Sequence, residues 1–161
     1  MLLTENTHTP EAVDFAGLTA RFMHSGEAVS VVEHDIAPGT LAAPLHRHAN
    51  EDEYSYVLSG EVGFQLGDEV RYAGPGELVF KPRNQWHAFW NRSSEPAKVL
   101  ELIAPGGFED YFREIAPLLP PNVPKPDMEG LAAVVAKYGL EMDPESIAVI
   151  SAREGLPCPL G

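Results

Sequence analysis

Between residues 27 and 104 the chain is a succession of short β-rich runs, each closed by a turn signal. AVSVVEHDI ends at Pro38-Gly39, EYSYVL at Ser59-Gly60, EVGFQL at Gly67-Asp68 and EVRYA at Gly74-Pro75-Gly76. ELVFK, WHAFWN and AKVLELIA then stop at Pro82-Arg83-Asn84, at Arg92 through Pro96, and at Pro105-Gly106-Gly107. In the first run Val29, Val31 and Glu33 alternate with Ser30, Val32 and His34. A period of two marks a strand with two unlike faces. Several such strands at close, regular spacing predict an antiparallel sandwich or barrel. Before this block, residues 1–26 read as a lead-in broken by Pro10, Gly17 and Gly26.

After residue 105 the period changes. Phe108, Tyr111, Phe112 and Ile115 recur at helical spacing and predict a helix over 107–117. The stiff stretch PPNVPKP follows. Asp127 is an N-cap for a second helix over 127–139 through Leu131, Val134, Val135 and Tyr138, with Gly139 in the place of a C′ glycine. Asp143-Pro144-Glu145 can start a third helix, which Gly155 and two prolines cut short. The expected organisation is a lead-in over 1–26, a barrel over 27–105 and a helical extension over 106–161. The extension must pack on the barrel, because about fifty residues with two short helices cannot bury a core of their own.

Charge narrows the partners. Lys plus Arg number 11 and Asp plus Glu 24 among 161 residues, a net charge of −13. Phosphate binding needs basic surface, so neither nucleic acid nor an anionic membrane is an expected partner. No run of apolar residues is long enough to span a bilayer. The N-terminus, MLLTENTHTPEAVDF, has neither a basic nor an apolar leader region, and a cytoplasmic location is expected. The single cysteine, Cys158, excludes an intramolecular disulfide and a Cys-rich zinc module, and reads as an idle terminal thiol.

The candidate chemistry lies in histidines. His46 and His48, two apart, share one face of an extended strand. Glu53 opens the next strand and His87 lies in a third. Three imidazoles and a carboxylate on one inner face form a ligand set for a divalent first-row metal: Fe, Mn, Ni, Co, Cu or Zn. Such a set leaves a position for water or substrate, as a catalytic metal requires. Parity from Glu53 turns Ser55 and Val57 inward, and Tyr54, Tyr56 and Leu58 outward. Parity from His87 turns Phe89 inward, and Trp86 and Trp90 outward. Ser55, Val57, Phe64 and Phe89 then line an apolar cavity above the metal, or simply fill the core. Trp86 and Trp90 need a cover, either the helix carrying Phe108, Tyr111 and Phe112 or a second subunit. A homodimer is expected, since symmetric pairing covers exposed strand edges and outward aromatics. His8, His24 and His34 read as surface residues, and Glu51-Asp52-Glu53 as a solvated turn with only Glu53 inward. Arg47 points away from the imidazoles by parity, so no inward cationic clamp is evident.

The spacing carries a resemblance. Gly39, six residues, His46-x-His48, four residues, Glu53, six residues, Gly60 is followed by Gly76, five residues, Pro82-x-Asn84-x-x-His87, three residues, Asn91. Over residues 30–104 this resembles the two signature motifs of the cupin family. It departs from them in having six residues, not five, after Gly39, and Asn84 where the family has glycine. Asn tolerates the left-handed conformation such a turn needs. The resemblance implies an all-β jelly-roll (double-stranded β-helix) antiparallel barrel with the metal inside, held by His46, His48, Glu53 and His87. The C-terminal layout is similar to small single-domain bacterial cupins grouped with quercetin 2,3-dioxygenases. That likeness implies a metal-dependent dioxygenase acting on a small, apolar, oxygenated substrate, with Glu53 also taking a proton. Cupins host many activities, so two other readings stand beside it: a non-catalytic metal- or ligand-binding module, and a sugar isomerase or epimerase.

Overall fold

The structure is a computed structural model and describes residues 9–120 and 126–158. His8 lies outside the described residues. Ten strands run in order: β1 (Ala12–Phe15), β2 (Leu18–Ser25), β3 (Ser30–Ile36), β4 (Thr40–His48), β5 (Asp52–Ser59), β6 (Val62–Leu66), β7 (Glu69–Ala73), β8 (Leu78–Lys81), β9 (His87–Asn91) and β10 (Ala97–Ala104). Then come α1 (Glu109–Ile115), a 3₁₀ turn at Ala116–Leu118, α2 (Met128–Lys137), a short β11 (Leu140–Met142) and α3 (Glu145–Glu154). Among the described residues no helix is long and apolar enough to cross a membrane.

The strands form two antiparallel sheets, β1-β2-β3-β10-β5-β8 and β11-β4-β9-β6-β7. Their inner faces share one core, the arrangement expected of a jelly roll. Val32, Ile36, Val57, Val79, Val99 and Ile103 enter it from the first sheet, and Val62, Phe64 and Phe89 from the second. Residues 12–25, which lack a strong period of two, form the β1–β2 hairpin on the edge of the first sheet. β11 was not foreseen at all. It pairs with β4 so that Leu140 lies opposite His48 and Met142 opposite His46.

Two irregularities preserve the pattern of β4. Its register against β9 shifts between Leu41 and Ala43 and again between Ala43 and His46. Bulges take up surplus residues and tolerate a proline that cannot donate to the ladder. They accommodate Pro44 and the additional residue after Gly39, and His46 and His48 still face inward. Asn84 sits at φ +64°, so asparagine does fill the left-handed position.

The helices divide the labour differently from the sequence expectation. α1 does not cover the tryptophans. Its Phe108, Tyr111, Phe112 and Ile115 close one end of the main core. α2 begins at Asp127, whose side chain accepts from Gly130 N, and lays Leu131, Val134, Val135 and Tyr138 against the same core. It is α3 that covers Trp90, through Ile150 and with Leu156, in a second core on the outside of the second sheet. Gly63 makes that packing possible, since a Cβ there would lie 2.2 Å from Trp90 Nε1. Trp86 stays half-buried with the Arg47 guanidinium 5.0 Å from its ring centre.

Candidate metal centre

The four expected ligands converge. Ligand atoms of His46, His48, Glu53 and His87 all lie within 4.8 Å of one another, and all four residues are buried. β4 supplies two imidazoles and β9 the third, with His46 directly opposite His87 in the pairing and their ring centres 4.2 Å apart. Glu53 comes from β5 in the other sheet, so the cluster bridges the two halves of the barrel.

The second nitrogen of each ring fixes which atom faces the centre. His46 Nδ1 lies 2.8 Å from the Pro44 carbonyl and His87 Nδ1 3.0 Å from the Gln85 carbonyl. A carbonyl only accepts, so each Nδ1 carries the proton and each Nε2 keeps its lone pair. Glu51 Oε2 lies 3.3 Å from His48 Nδ1 and does the same for the third ring. Glu51 is therefore buried as an orienting carboxylate, not part of a solvated turn. The buried Nε2 atoms of His48 and His87 have no hydrogen-bond partner of good geometry, although His87 Nε2 is 3.2 Å and His48 Nε2 3.5 Å from Glu53 oxygens. Buried lone pairs are rarely left unpaired without reason. Three oriented imidazoles and a carboxylate fit a divalent transition metal.

The electrostatics keep His46, His87 and Glu53 in their ligating forms. Burial, and then the neighbouring His87 and His48, hold the His46 pKa well below the usual imidazole value. Burial likewise lowers His87. Burial alone would raise Glu53, but His48, Lys81 and His87 together hold it well below the usual carboxylate range.

Three groups beside the cluster escaped the sequence reading. Lys81 is only 1% exposed and its Nζ lies 2.9 Å from Glu53 Oε2 and 2.9 Å from Glu101 Oε1. There is thus an inward cation, but two carboxylates already engage it. Burial pulls its pKa down, yet Glu101 and Glu53 hold it above the usual lysine value. Glu101, buried on β10, also accepts from Ser55 Oγ at 2.8 Å. His34 is not on the surface. It alternates inward with Val32 and Ile36, is 1% exposed, and packs with its ring centre 5.2 Å from that of Phe112. His24 is exposed, as expected.

Ser55, Val57, Phe64 and Phe89 all lie in the barrel interior. Phe108 stands against the cluster itself, its ring centre 4.6 Å from that of His48. Tyr111, Phe112 and Tyr138 surround Phe108 in turn. One end of the His/Glu cluster is therefore walled by the segment that follows the barrel.

Comparison with known proteins places this geometry. Residues 32–103 match the cupin domain family. Over 72 residues the chain is 35% identical to the tetracenomycin polyketide synthase protein TcmJ of Streptomyces glaucescens, covering 44% of this chain and 47% of that protein. The match thus spans about half the length of that curated relative. Among solved structures, KdgF from Halomonas sp. superposes with a TM-score of 0.58 at 19% identity, covering 68% of this chain and 97% of that one. A Streptomyces Pac13 with uridine gives 0.54 at 18%, covering 68% and 88%. At these identities the structural likeness speaks for the fold alone. The two motifs, the two-sheet barrel and the inward His/Glu cluster all agree with the cupin domain that residues 32–103 match.

Proposed function

We propose that this cupin is a metal-dependent enzyme of the dioxygenase or oxidoreductase type, acting on a small oxygenated substrate with an apolar body. One observation carries the reading: three imidazoles whose Nδ1 atoms are all engaged, leaving their Nε2 lone pairs directed at one point beside Glu53. A divalent metal held there by His46, His48, Glu53 and His87 would polarise a substrate oxygen and lower the pKa of its hydroxyl. Glu53, kept ionised, is placed to take the proton of that hydroxyl at a carboxylate oxygen. Val57, Phe64 and Phe89 give the interior an apolar lining, and Phe108 excludes water from the His48 side. An enolisable or phenolic substrate suits this site. The name of the curated relative, a polyketide synthase protein, supports the same class.

A phosphorylated sugar suits it less well. The interior cation, Lys81, lies between Glu53 and Glu101 and has no uncompensated charge to offer a phosphate. We also infer a homodimer. The tryptophans are not its surface. The outer face of the first sheet, where Tyr56, Leu58, Leu78 and Phe80 are exposed beside the β8 edge, is the better candidate.

The test is metal analysis of the purified chain, then oxygen uptake with a flavonol, a catechol and a β-diketone. Metal-dependent uptake that disappears in Glu53→Ala is the expected result. Stoichiometric metal with no uptake across the panel overturns the dioxygenase reading and leaves a metal- or ligand-binding module.

A further inference from the structure

We propose that Lys81 is a positioning residue for the metal site: anchored by Glu101, its ammonium claims Oε2 of Glu53 and leaves Oε1 as a single, weakened carboxylate donor. The inference rests on the metal-binding reading above. The three residues come from adjacent strands. β5 lies between β10 and β8, Glu53 is directly opposite Lys81, and Glu101 is directly opposite Ser55. Lys81 Nζ is 2.9 Å from one oxygen of each carboxylate. Ser55 Oγ donates to the other oxygen of Glu101 at 2.8 Å, which fixes that carboxylate in turn.

Burying this group is costly. Taking an ammonium out of water costs several kcal/mol, and apolar side chains of similar volume fill such places as well or better. The Phe89 ring, its centre 5.2 Å from Nζ, and Val79, two residues before Lys81 on the same inward face, are apolar. What the ion pair does, beyond filling space, is act on Glu53. An ammonium 2.9 Å from one carboxylate oxygen draws electron density toward itself and holds that oxygen turned to it. A carboxylate held in this way cannot chelate a metal through both oxygens, and the oxygen left free is a poorer donor than in an unpaired Glu. The three imidazoles then carry most of the affinity. Glu53 is held close to the metal but binds it lightly, as a group that must also exchange protons requires.

The test is a cycle of variants of the full-length chain, stripped of metal and titrated with Co(II) alone. Affinity is read by chelator competition and coordination by visible absorption. In the otherwise unaltered chain, Glu53→Gln is expected to weaken Co(II) binding by less than about tenfold. In the Lys81→Met/Glu101→Gln background, which removes one charge of each sign, the same change is expected to cost at least about tenfold more. The Co(II) spectrum of that background should also shift, because Glu53 then binds through both oxygens. An equal or smaller loss in that background overturns the proposal. Glu101→Gln alone, isosteric and less demanding of the fold, provides an independent reading. It leaves Lys81 to Glu53 alone and should make Glu53→Gln nearly silent; a loss as large as in the unaltered chain also overturns the proposal. A wild-type chain that takes up no Co(II) overturns the metal reading, and this proposal with it. Uptake with equal losses overturns this proposal alone.

Discussion

Replacing Phe108 by alanine separates two roles of the segment after the barrel. Phe108 is 3% exposed, with ring centres of His48 at 4.6 Å, Tyr111 at 4.9 Å and Phe112 at 5.5 Å. Truncating a buried Phe costs about 3–5 kcal/mol, from lost transfer energy and the cavity left behind. Tyr138, half-buried on the far side, can lean into the gap, which places the cost near the lower end, about 3 kcal/mol. At roughly 2–4 °C per kcal/mol for a domain of this size, Tm should fall by about 6–12 °C. The second effect is kinetic. With the ring gone, water and chelator reach the His48 side of the cluster, and metal release to excess EDTA should accelerate by an order of magnitude or more. Thermal melts of the metal-free chain and stopped-flow release from the loaded chain read the two effects separately. A Tm within about 2 °C of wild type, with an unchanged release rate, would show that Phe108 neither supports the core nor seals the site.

Other expectations follow from the same geometry. His46→Ala/His48→Ala should abolish stoichiometric metal by elemental analysis; full occupancy in the double variant would disprove the ligand assignment. His34 is held down, mainly by burial and then by the charge of Lys81, to a pKa of about 4 against the usual 6.5. The unfolded chain therefore takes up this proton first as pH falls. The contribution of neutral His34 is complete above pH 6.5 and drains away between 6.5 and about 4, some 3 kcal/mol in all. Urea unfolding of the metal-free His34→Gln chain should show a flatter stability profile across that window, and an unaltered slope would refute the assignment. Leu78→Glu/Phe80→Glu, on the exposed outer face, should convert a dimer to a monomer by light scattering. A wild-type mass near 17.5 kDa at micromolar concentration would already contradict the dimer.

Much of this architecture was legible because the period of two and the turn residues speak together. The runs from AVSVVEHDI to AKVLELIA are all strands, and Asp127 and Gly139 mark the start of α2 and the turn that follows it. The ligands were legible because His46, His48, Glu53 and His87 stand at spacings that resemble the two cupin motifs; the His-x-His pair alone is a weak signal. What escaped was polar chemistry on inward faces. The alternation in ELVFK places Lys81 beside Val79, and that in AKVLELIA places Glu101 between Val99 and Ile103. The outer positions of those strands are apolar too: Leu78, Phe80, Leu100 and Leu102. Hydrophobicity could not tell in from out, and parity from a known inward neighbour was the available signal. His34 was missed for a related reason. Its phase with Val32 was visible, but an imidazole is more often at the surface than buried. β11 is three residues long, too short for any period to show, and is defined by its partner.

That partner has a consequence for how the molecule comes into being. In the second sheet β4 would be an edge strand were β11 not beside it. Beyond the strand, Asp143 N donates to the Leu45 carbonyl at 2.8 Å and Ser146 Oγ accepts from Leu45 N at 2.9 Å. The strand that carries two of the three imidazoles is thus finished by residues translated almost a hundred positions later. While the nascent chain emerges, all four ligands are already outside but the edge at His46 and His48 stands open to any passing strand. The ligand cluster is therefore completed late in synthesis, and a chain stalled before β11 leaves the β4 edge beside His46 and His48 uncovered.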